Sequence, residues 1–389
     1  MSRTGQGDIK ATAFTFPRKQ DKPVDVKIQQ LIEKLKVVPD PRRQWGNRRH
    51  ALESILVIGF CTIVCGGEDF TDMETFGCER QEWLQGFLAL PNGIPDSDTF
   101  RRVFERVDPQ ALGEVLRDWL DIHRGTREVV SVDGKTIRGS DGDGHKAYHV
   151  VSAFVRENCL TLGELKTEEK SNEITAVPEL LDMLDIKNAI VTADAMSCQR
   201  KIVEKITEKE ADYVIGLKEN QPMLLEEVRL YFEAFTAECA QLRTREKGHG
   251  RIETRDYFLA TDIDWLEQKA DWTGLNAIGG VTSTVDENGK IRTYTRYFIT
   301  SVTNIEEFAQ AIREHWGIEN QLPWCLYVAF REDASRARRD NSPLNLNVMR
   351  KNALSLLKSA DWGRIGLRKK MFRAAMSSAA LEYVLTGIK

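Results

Sequence analysis

The chain of 389 residues contains no apolar run long enough to span a bilayer. Its first residues, Met1 to Lys22, are polar and lack the apolar core of a signal peptide. Histidine is scarce, at six residues, and the seven cysteines at 61, 65, 78, 159, 198, 239 and 325 form no CxxC pair. That spread argues against a zinc site and against a disulfide framework, and it fits reduced thiols in a cytoplasmic chain. No GxGxxG follows any predicted strand, which disfavours a dinucleotide-dependent oxidoreductase. A strong net charge is missing too, at −4, but its distribution is uneven. Between Arg18 and Arg49 there are ten Lys/Arg against four Asp/Glu, and between Arg331 and Arg373 twelve against four. Clustered cations of this kind can supply phosphate contacts in a protein that is acidic overall, although a solvated charged face explains each cluster as well.

Residues 1–24 are expected to form a disordered tail. Helical spacing begins at Val26, and Pro39 and Pro41 stop it. Arg42 and Arg43 follow, with Trp45, Arg48 and Arg49 close by. Ala51 to Gly66 is a buried core helix, and further helices run from Phe70 to Leu88, from Thr99 to Phe104 after an Asp96 cap, and from Pro109. The segment 25–124 is therefore all-helical, and the helix carrying Arg101 and Arg102 is a candidate for DNA recognition or an ordinary amphipathic helix with a wet face. Strand character starts at Glu128. The order thereafter is β-β-β-α-β-α-β, an α/β domain with a mixed sheet. A β-rich elaboration spans about 225–300, containing the basic segment His249, Arg251 and Arg255. Helices resume at Asn304 and end in a basic stretch, 331–389.

Two apolar strands dominate the chemistry. Val129-Val130-Ser131-Val132 delivers Asp133, and Ile190-Val191-Thr192-Ala193 delivers Asp194. Buried strands seldom carry an acid except at an end or a site, and Gly134 lets backbone or ligand come close to Asp133. Glu319, on the helix after Asn304, is a third candidate. Three carboxylates with oxygen-only ligand chemistry suit two Mg²⁺ or Mn²⁺ ions, the arrangement that in-line phosphodiester displacement requires. Lys135, Arg138 and Lys218 lie near enough in sequence to hold phosphate. Each acid has a plainer explanation: Asp133 as a partner of Lys135, Asp194 as a helix N-terminal acid, Glu319 as a surface acid. Ser171-Asn172-Glu173 reads as a helix cap, His149 as a structural residue of its strand, and His315 and Trp316 as packing residues or DNA contacts.

The segments VDGKTIRGS, HVVSAFV, EKSNEITAVPELLDMLDIK, TADAMSCQ, DYVIGLKENQ, HGRIETR and REHWGIEN, in this order, resemble the H-repeat-associated, ISAs-type insertion-sequence transposases of the IS-four-like DDE class. The resemblance covers residue 27 to the C-terminus. It implies an RNase H-like catalytic domain over 125–389, preceded by a transposase-associated helical domain, and it places the catalytic and metal-binding triad on Asp133, Asp194 and Glu319, separated by 61 and 125 residues. It further implies double-stranded DNA as partner (terminal inverted repeats and target), with a homodimer holding two ends.

The chain departs from the family's pattern just after Glu319. Pro323 stands where the family has histidine, and Tyr327 where it has aspartate. Proline lacks an N–H, so the Glu319 carbonyl loses its helical partner, and a helix continuing through this point is expected to kink. Two other readings stay open: a DNA-binding remnant without cleavage, and an RNase H-like nuclease without strand transfer.

Overall fold

The computed structural model describes residues 23–43, 48–120, 127–142, 144, 146–157, 159–167, 173–248 and 250–386, apart from the side chains of residues 23–25, 319 and 320. The expected N-terminal tail through residue 22, together with Trp45, lies outside these.

Six helices come first: α1 (Pro23–Leu35), α2 (Leu52–Val64), α3 (Phe70–Glu79), α4 (Gln81–Gln85), α5 (Ser97–Phe104) and α6 (Pro109–Leu120). Acidic caps fix two of the starts. Asp69 accepts from the N–H groups of Thr71 and Asp72 at 2.9 and 3.0 Å, and Asp96 accepts from that of Thr99 at 2.6 Å. Helix α2 is strongly apolar and buried at every residue except Glu53, as the sequence indicates.

The sheet begins with β1 (Val129–Ile137), β2 (Tyr148–Val155) and β3 (Leu160–Thr167). Then come α7 (Glu173–Asp182), β4 (Ile190–Ala193), α8 (Arg200–Glu208), β5 (Asp212–Leu217) and α9 (Pro222–Phe235). Four long strands follow: β6 (Ala240–Gly248), β7 (Arg251–Ala260), β8 (Ala277–Glu287) and β9 (Lys290–Thr300). All nine strands form one sheet in the order β3-β2-β1-β4-β5-β9-β8-β7-β6. Strands β1, β4 and β5 are parallel to one another, and the remaining pairings are antiparallel. This is the RNase H-like, mixed-sheet arrangement that the resemblance implies. The β-rich elaboration is a continuation of that sheet, joined through β5–β9 pairing. The sequence reading has no strand at 240–248, and it leaves the basic segment of His249, Arg251 and Arg255 open between a phosphate contact and an exposed β-hairpin. Strands β6 and β7 pair as a hairpin, and β6 is exposed along most of its length, so it lacks the alternating burial by which a strand is recognised.

Chain direction ends with α10 (Ile305–Trp324), α11 (Ser342–Ser359), α12 (Leu367–Met376) and α13 (Ser378–Thr386). The sheet is covered on both faces. Val130, Val132, Val191 and Ala193 meet α7, α8 and α9 on one face. Val129, Ile190 and Val214 meet α10 on the other. Helices α11 to α13 complete the core of α1 to α6, so apolar residues from both ends of the chain are buried together. Helix α11 is the centre of that core and also touches the sheet, where Lys351 donates to Ser152 Oγ at 2.8 Å and pairs with Glu164.

Candidate active site

The last registered pair between β1 and β4 is Val132 with Ala193. Asp133 and Asp194 are the next residues on their strands, so they stand next to each other one step beyond the ladder. Asp133 is not itself a strand end. Strand β1 continues to Ile137 on the strength of its pairing with β2, and only the β4 side opens. Alternation along both strands turns the two aspartates toward the α10 face.

Beneath them the same face is polar but closed. The Thr192 hydroxyl donates to Ser131 Oγ at 3.0 Å and meets His315 Nδ1 at 3.1 Å. Burial, with Arg296 adding to it, pushes the His315 imidazole down to about 4, so it is neutral at pH 7. Ile312 packs with Val129 and Ile190 at the strand starts, and His315 with Thr192 further along. Helix α10 thus advances in the same direction as the strands. Glu319 is one helical turn beyond His315, and Asp133 and Asp194 are two residues beyond Ser131 and Thr192. The third acid's position on the helix is therefore level with the two aspartates.

Helix α10 runs unbroken through Pro323 and passes into a π-helical turn, Cys325–Ala329, marked by the Phe330 N–H donating to the Cys325 carbonyl at 3.3 Å. The helix continues through the proline, and the next turn widens from four-residue to five-residue spacing.

Asp194 is part-buried and caps a short 3₁₀ turn, accepting from the Ser197 N–H at 3.3 Å. Burial holds its carboxyl above the usual carboxylate range, and the charge of Glu173 adds to this, while Lys218 and the Ser197 N–H oppose it. The KENQ segment explains itself here: Asn220 Nδ2 donates to the Ala195 carbonyl at 2.7 Å and Gln221 Nε2 to that of Cys198 at 3.0 Å, fastening the loop after β5 to the loop after β4. A cavity of about 370 Å³ opens beside Asp194, with Lys218 and Arg296 on its wall. Among the described residues no ready-made group of three or more metal-ligating side chains exists. The donor chemistry nevertheless fits a hard divalent cation: two registered aspartates, one held in a buried position where its negative charge is disfavoured.

Several expected DNA contacts have other partners. Lys135 pairs with Glu332, which is fully buried. Arg255 is buried, bridging Glu246 at 3.1 Å and Glu253 at 2.6 Å and lying 4.7 Å from the Trp316 ring centre. His315 is buried against Thr192. These three are internal supports, because an ion-paired or enclosed group has no geometry left for a phosphate. Arg42 is held by Asp40 at 2.8 Å, Arg101 by Asp98 and Glu105 at 3.1 and 2.7 Å, and Arg102 by Asp98 at 3.3 Å. Arg43, Arg138, Lys218 and Arg251 are exposed. His249 lies outside the described residues.

Sequence reading misses Arg296, which is exposed and stacks at 5.6 Å on Trp316. It borders both the Asp194 cavity and a second groove of about 760 Å³, whose wall carries Arg156, Lys247, Arg251 and Arg313 with Trp324. The signal for such a groove is spread over four elements, so no local motif contains it. Sequence reading also assigns only capping to Glu173, which is 6 % exposed and meets His149 Nε2 at 2.5 Å. Gly134 is the one local sign of this pair.

Comparison with known proteins gives the same picture along the chain. The family described as Transposase DDE domain matches residues 124–356, and the one described as DDE_Tnp_1-associated matches residues 32–120. The chain is 38 % identical over 372 residues to the "Putative transposase YncI" of Escherichia coli O157:H7, covering 92 % of this chain and 95 % of that protein. It is 36 % identical over 375 residues to the "H repeat-associated putative transposase YhhI" of Escherichia coli strain K12, covering 93 % and 99 %. A short stretch of 78 residues is 33 % identical to the "Inactive transposase YbfQ" of the same strain, covering 20 % of this chain and 92 % of that protein.

Proposed function

The chain belongs to the DDE transposase family, and from that premise we propose that it cleaves DNA at the ends of its own element and joins the freed ends to target DNA. One observation carries this reading: Asp133 and Asp194 are adjacent just past the last β1–β4 pair, with the helix of Glu319 advancing alongside.

Asp133, Asp194 and Glu319 would hold divalent ions, Mg²⁺ or Mn²⁺, two being the number that in-line displacement uses. Such ions, when bound, make a hydroxyl oxygen a better nucleophile and stabilise charge on the leaving oxygen. The chain's own groups do the rest. Lys218 and Arg296, on the wall of the Asp194 cavity, hold the backbone phosphate by charge and hydrogen bonding. The groove containing Arg156, Lys247 and Arg251 carries the flanking duplex. His315, Thr192 and Ser131 form a rigid, uncharged floor. A water oxygen attacks phosphorus at the element end, the bond to the 3′ oxygen breaks, and that oxygen leaves as a 3′-hydroxyl. The same hydroxyl then attacks a target phosphodiester, joining to its phosphorus while the target's own 3′ oxygen leaves as a hydroxyl. Arg43 on the helical part, with Arg138, extends the contact to the terminal repeats. Two ends held at once require two copies on DNA.

A second reading, DNA binding without cleavage, is favoured by Pro323 and the π-helical turn after Glu319, since a misplacement of about 1 Å at a reacting group can cost on the order of 100-fold in rate. A labelled duplex carrying the element's terminal repeat distinguishes them. Wild type is run with Mg²⁺ beside Asp133→Ala and a Pro323→His/Tyr327→Asp double variant. Cleavage by wild type, lost in Asp133→Ala, supports an active transposase. Cleavage by the double variant alone supports the binding-only reading of this sequence. DNA bound but uncut by all three removes the cleavage proposal.

A further inference from the structure

Gly134 is flanked by Asp133 and Lys135, and alternation turns its missing side chain to the face opposite theirs. A Cβ built there would lie 2.3 Å from Glu173 Oε1 and 2.5 Å from His149 Nε2. The strand is bare at this point because a carboxylate and an imidazole already fill the space. Glu173 opens α7, and His149 is on β2, where its strand partner is Thr136. His149 Nε2 meets Glu173 Oε1 at 2.5 Å, and its Nδ1 meets Thr136 Oγ1 at 3.0 Å. Both ring nitrogens are thereby engaged, so the imidazole cannot turn and the carboxylate is fixed. Glu173 and His149 are 6 % and 4 % exposed.

A carboxylate this buried is unusual, because burying a charge is costly unless something opposite in sign compensates it. His149 can supply that opposite charge, and the location of the pair suggests a use for it. Strands β1 and β4 separate after Val132 and Ala193, and Asp133 and Asp194 line one side of the opening. Glu173 reaches the same opening from the other side, across the position that Gly134 leaves empty, and its helix packs against the 3₁₀ turn that Asp194 caps.

We propose that Glu173 is a fourth acidic residue of the cation site, a carboxylate ligand shared with Asp194 and held in place by His149. The inference rests on the two-aspartate site proposed above. In its terms, Gly134 is the opening through which the fourth ligand enters, and His149 is a positioning residue that orients Glu173 from behind as the partner of a metal-binding group commonly does.

The test is Mn²⁺ binding to metal-free full-length protein, read by electron paramagnetic resonance of free Mn²⁺ and by calorimetry, without DNA. Wild type is compared with Glu173→Gln, Glu173→Asp and Asp194→Asn, and circular dichroism checks the fold of each. Glu173→Gln keeps the shape and one hydrogen-bonding oxygen but loses the charge. It is expected to weaken Mn²⁺ binding about 10- to 100-fold, while Glu173→Asp recovers part of the loss. Wild-type affinity in Glu173→Gln, with binding lost in Asp194→Asn, overturns the role of Glu173 and leaves the two-aspartate site standing. Wild-type affinity in Asp194→Asn overturns both. Should Glu173→Gln fail to fold, Glu173→Asp decides alone: weaker binding supports the fourth ligand, unchanged binding removes it.

Discussion

Lys135 and Glu332 form an ion pair between the strand that carries Asp133 and the segment that follows the helix of Glu319. Glu332 is fully buried, and Asn347 donates to it from α11. Lys135 and Arg350 hold its carboxyl below the usual carboxylate range against the opposing effect of burial. The pair therefore ties together the two chain segments whose relative position sets the site. Glu332→Ala leaves the Lys135 ammonium and the buried Arg350 guanidinium without their common partner. Removing one member of a buried pair costs about 3–5 kcal/mol, and urea unfolding should show a loss of that size.

His315 gives a pH dependence with a defined sign. Its folded value is about 4 and the ordinary value 6.5, so the unfolded chain binds the extra proton first as pH falls. The stabilisation from keeping it neutral is complete above about 6.5 and is lost as pH falls toward 4, at up to about 1.4 kcal/mol per pH unit. Unfolding free energies measured between these limits should decline more steeply for wild type than for His315→Gln.

Asp194→Asn should separate stability from activity. The carboxylate is held above its ordinary range by burial, so its ionised form is the one the fold disfavours. The neutral amide is expected to raise the melting temperature at pH 7 while abolishing Mg²⁺-dependent cleavage, and calorimetry with the cleavage assay on one preparation checks both.

Gly134→Ala adds a methyl group where Glu173 Oε1 is 2.3 Å away. Overpacking of this kind typically costs about 1–3 kcal/mol. Chemical denaturation should show it, and the same substitution elsewhere on an exposed strand should not.

Pro323→Ala restores an N–H four residues after Glu319. A proline inside a helix costs on the order of 3 kcal/mol, of which the adjoining π-helical turn absorbs part. A gain of about 1–2 kcal/mol in unfolding free energy is the expected result.

The parts of this protein visible in its sequence are those written locally. Strands β1 and β4 are rich in valine and isoleucine, and an aspartate follows the last residue of their shared ladder on each, so the strands and the placing of the two acids could be read directly. The caps at Asp96 and Asn304 are equally local. The middle position of Asp133 in its strand was not legible, because β1 outlives its β4 partner only through pairing with β2. Nor were the internal roles of Lys135 and Arg255: the acid that pairs with Lys135 is 197 residues away. Glu173 looks like a helix cap to any local reading, and only the bare strand position opposite reveals what it does. Strand β6 was hidden for the converse reason, since a strand exposed along most of its length shows little periodicity.

The pairing of Val214 with Thr300 means that the chain leaves the central sheet after β5 and returns to the strand it left. Everything between is an excursion with fixed endpoints, and α10 starts from the same place whatever its length. The far tip, Asn288-Gly289, has both residues at positive φ, 54° and 81°, the tight turn favoured for two-residue hairpins. Lengthening a surface loop at such a tip costs only about 0.6 kcal/mol per doubling. The reach of the ribbon is thus an adjustable dimension, which can change without disturbing the strands that carry the acids behind it.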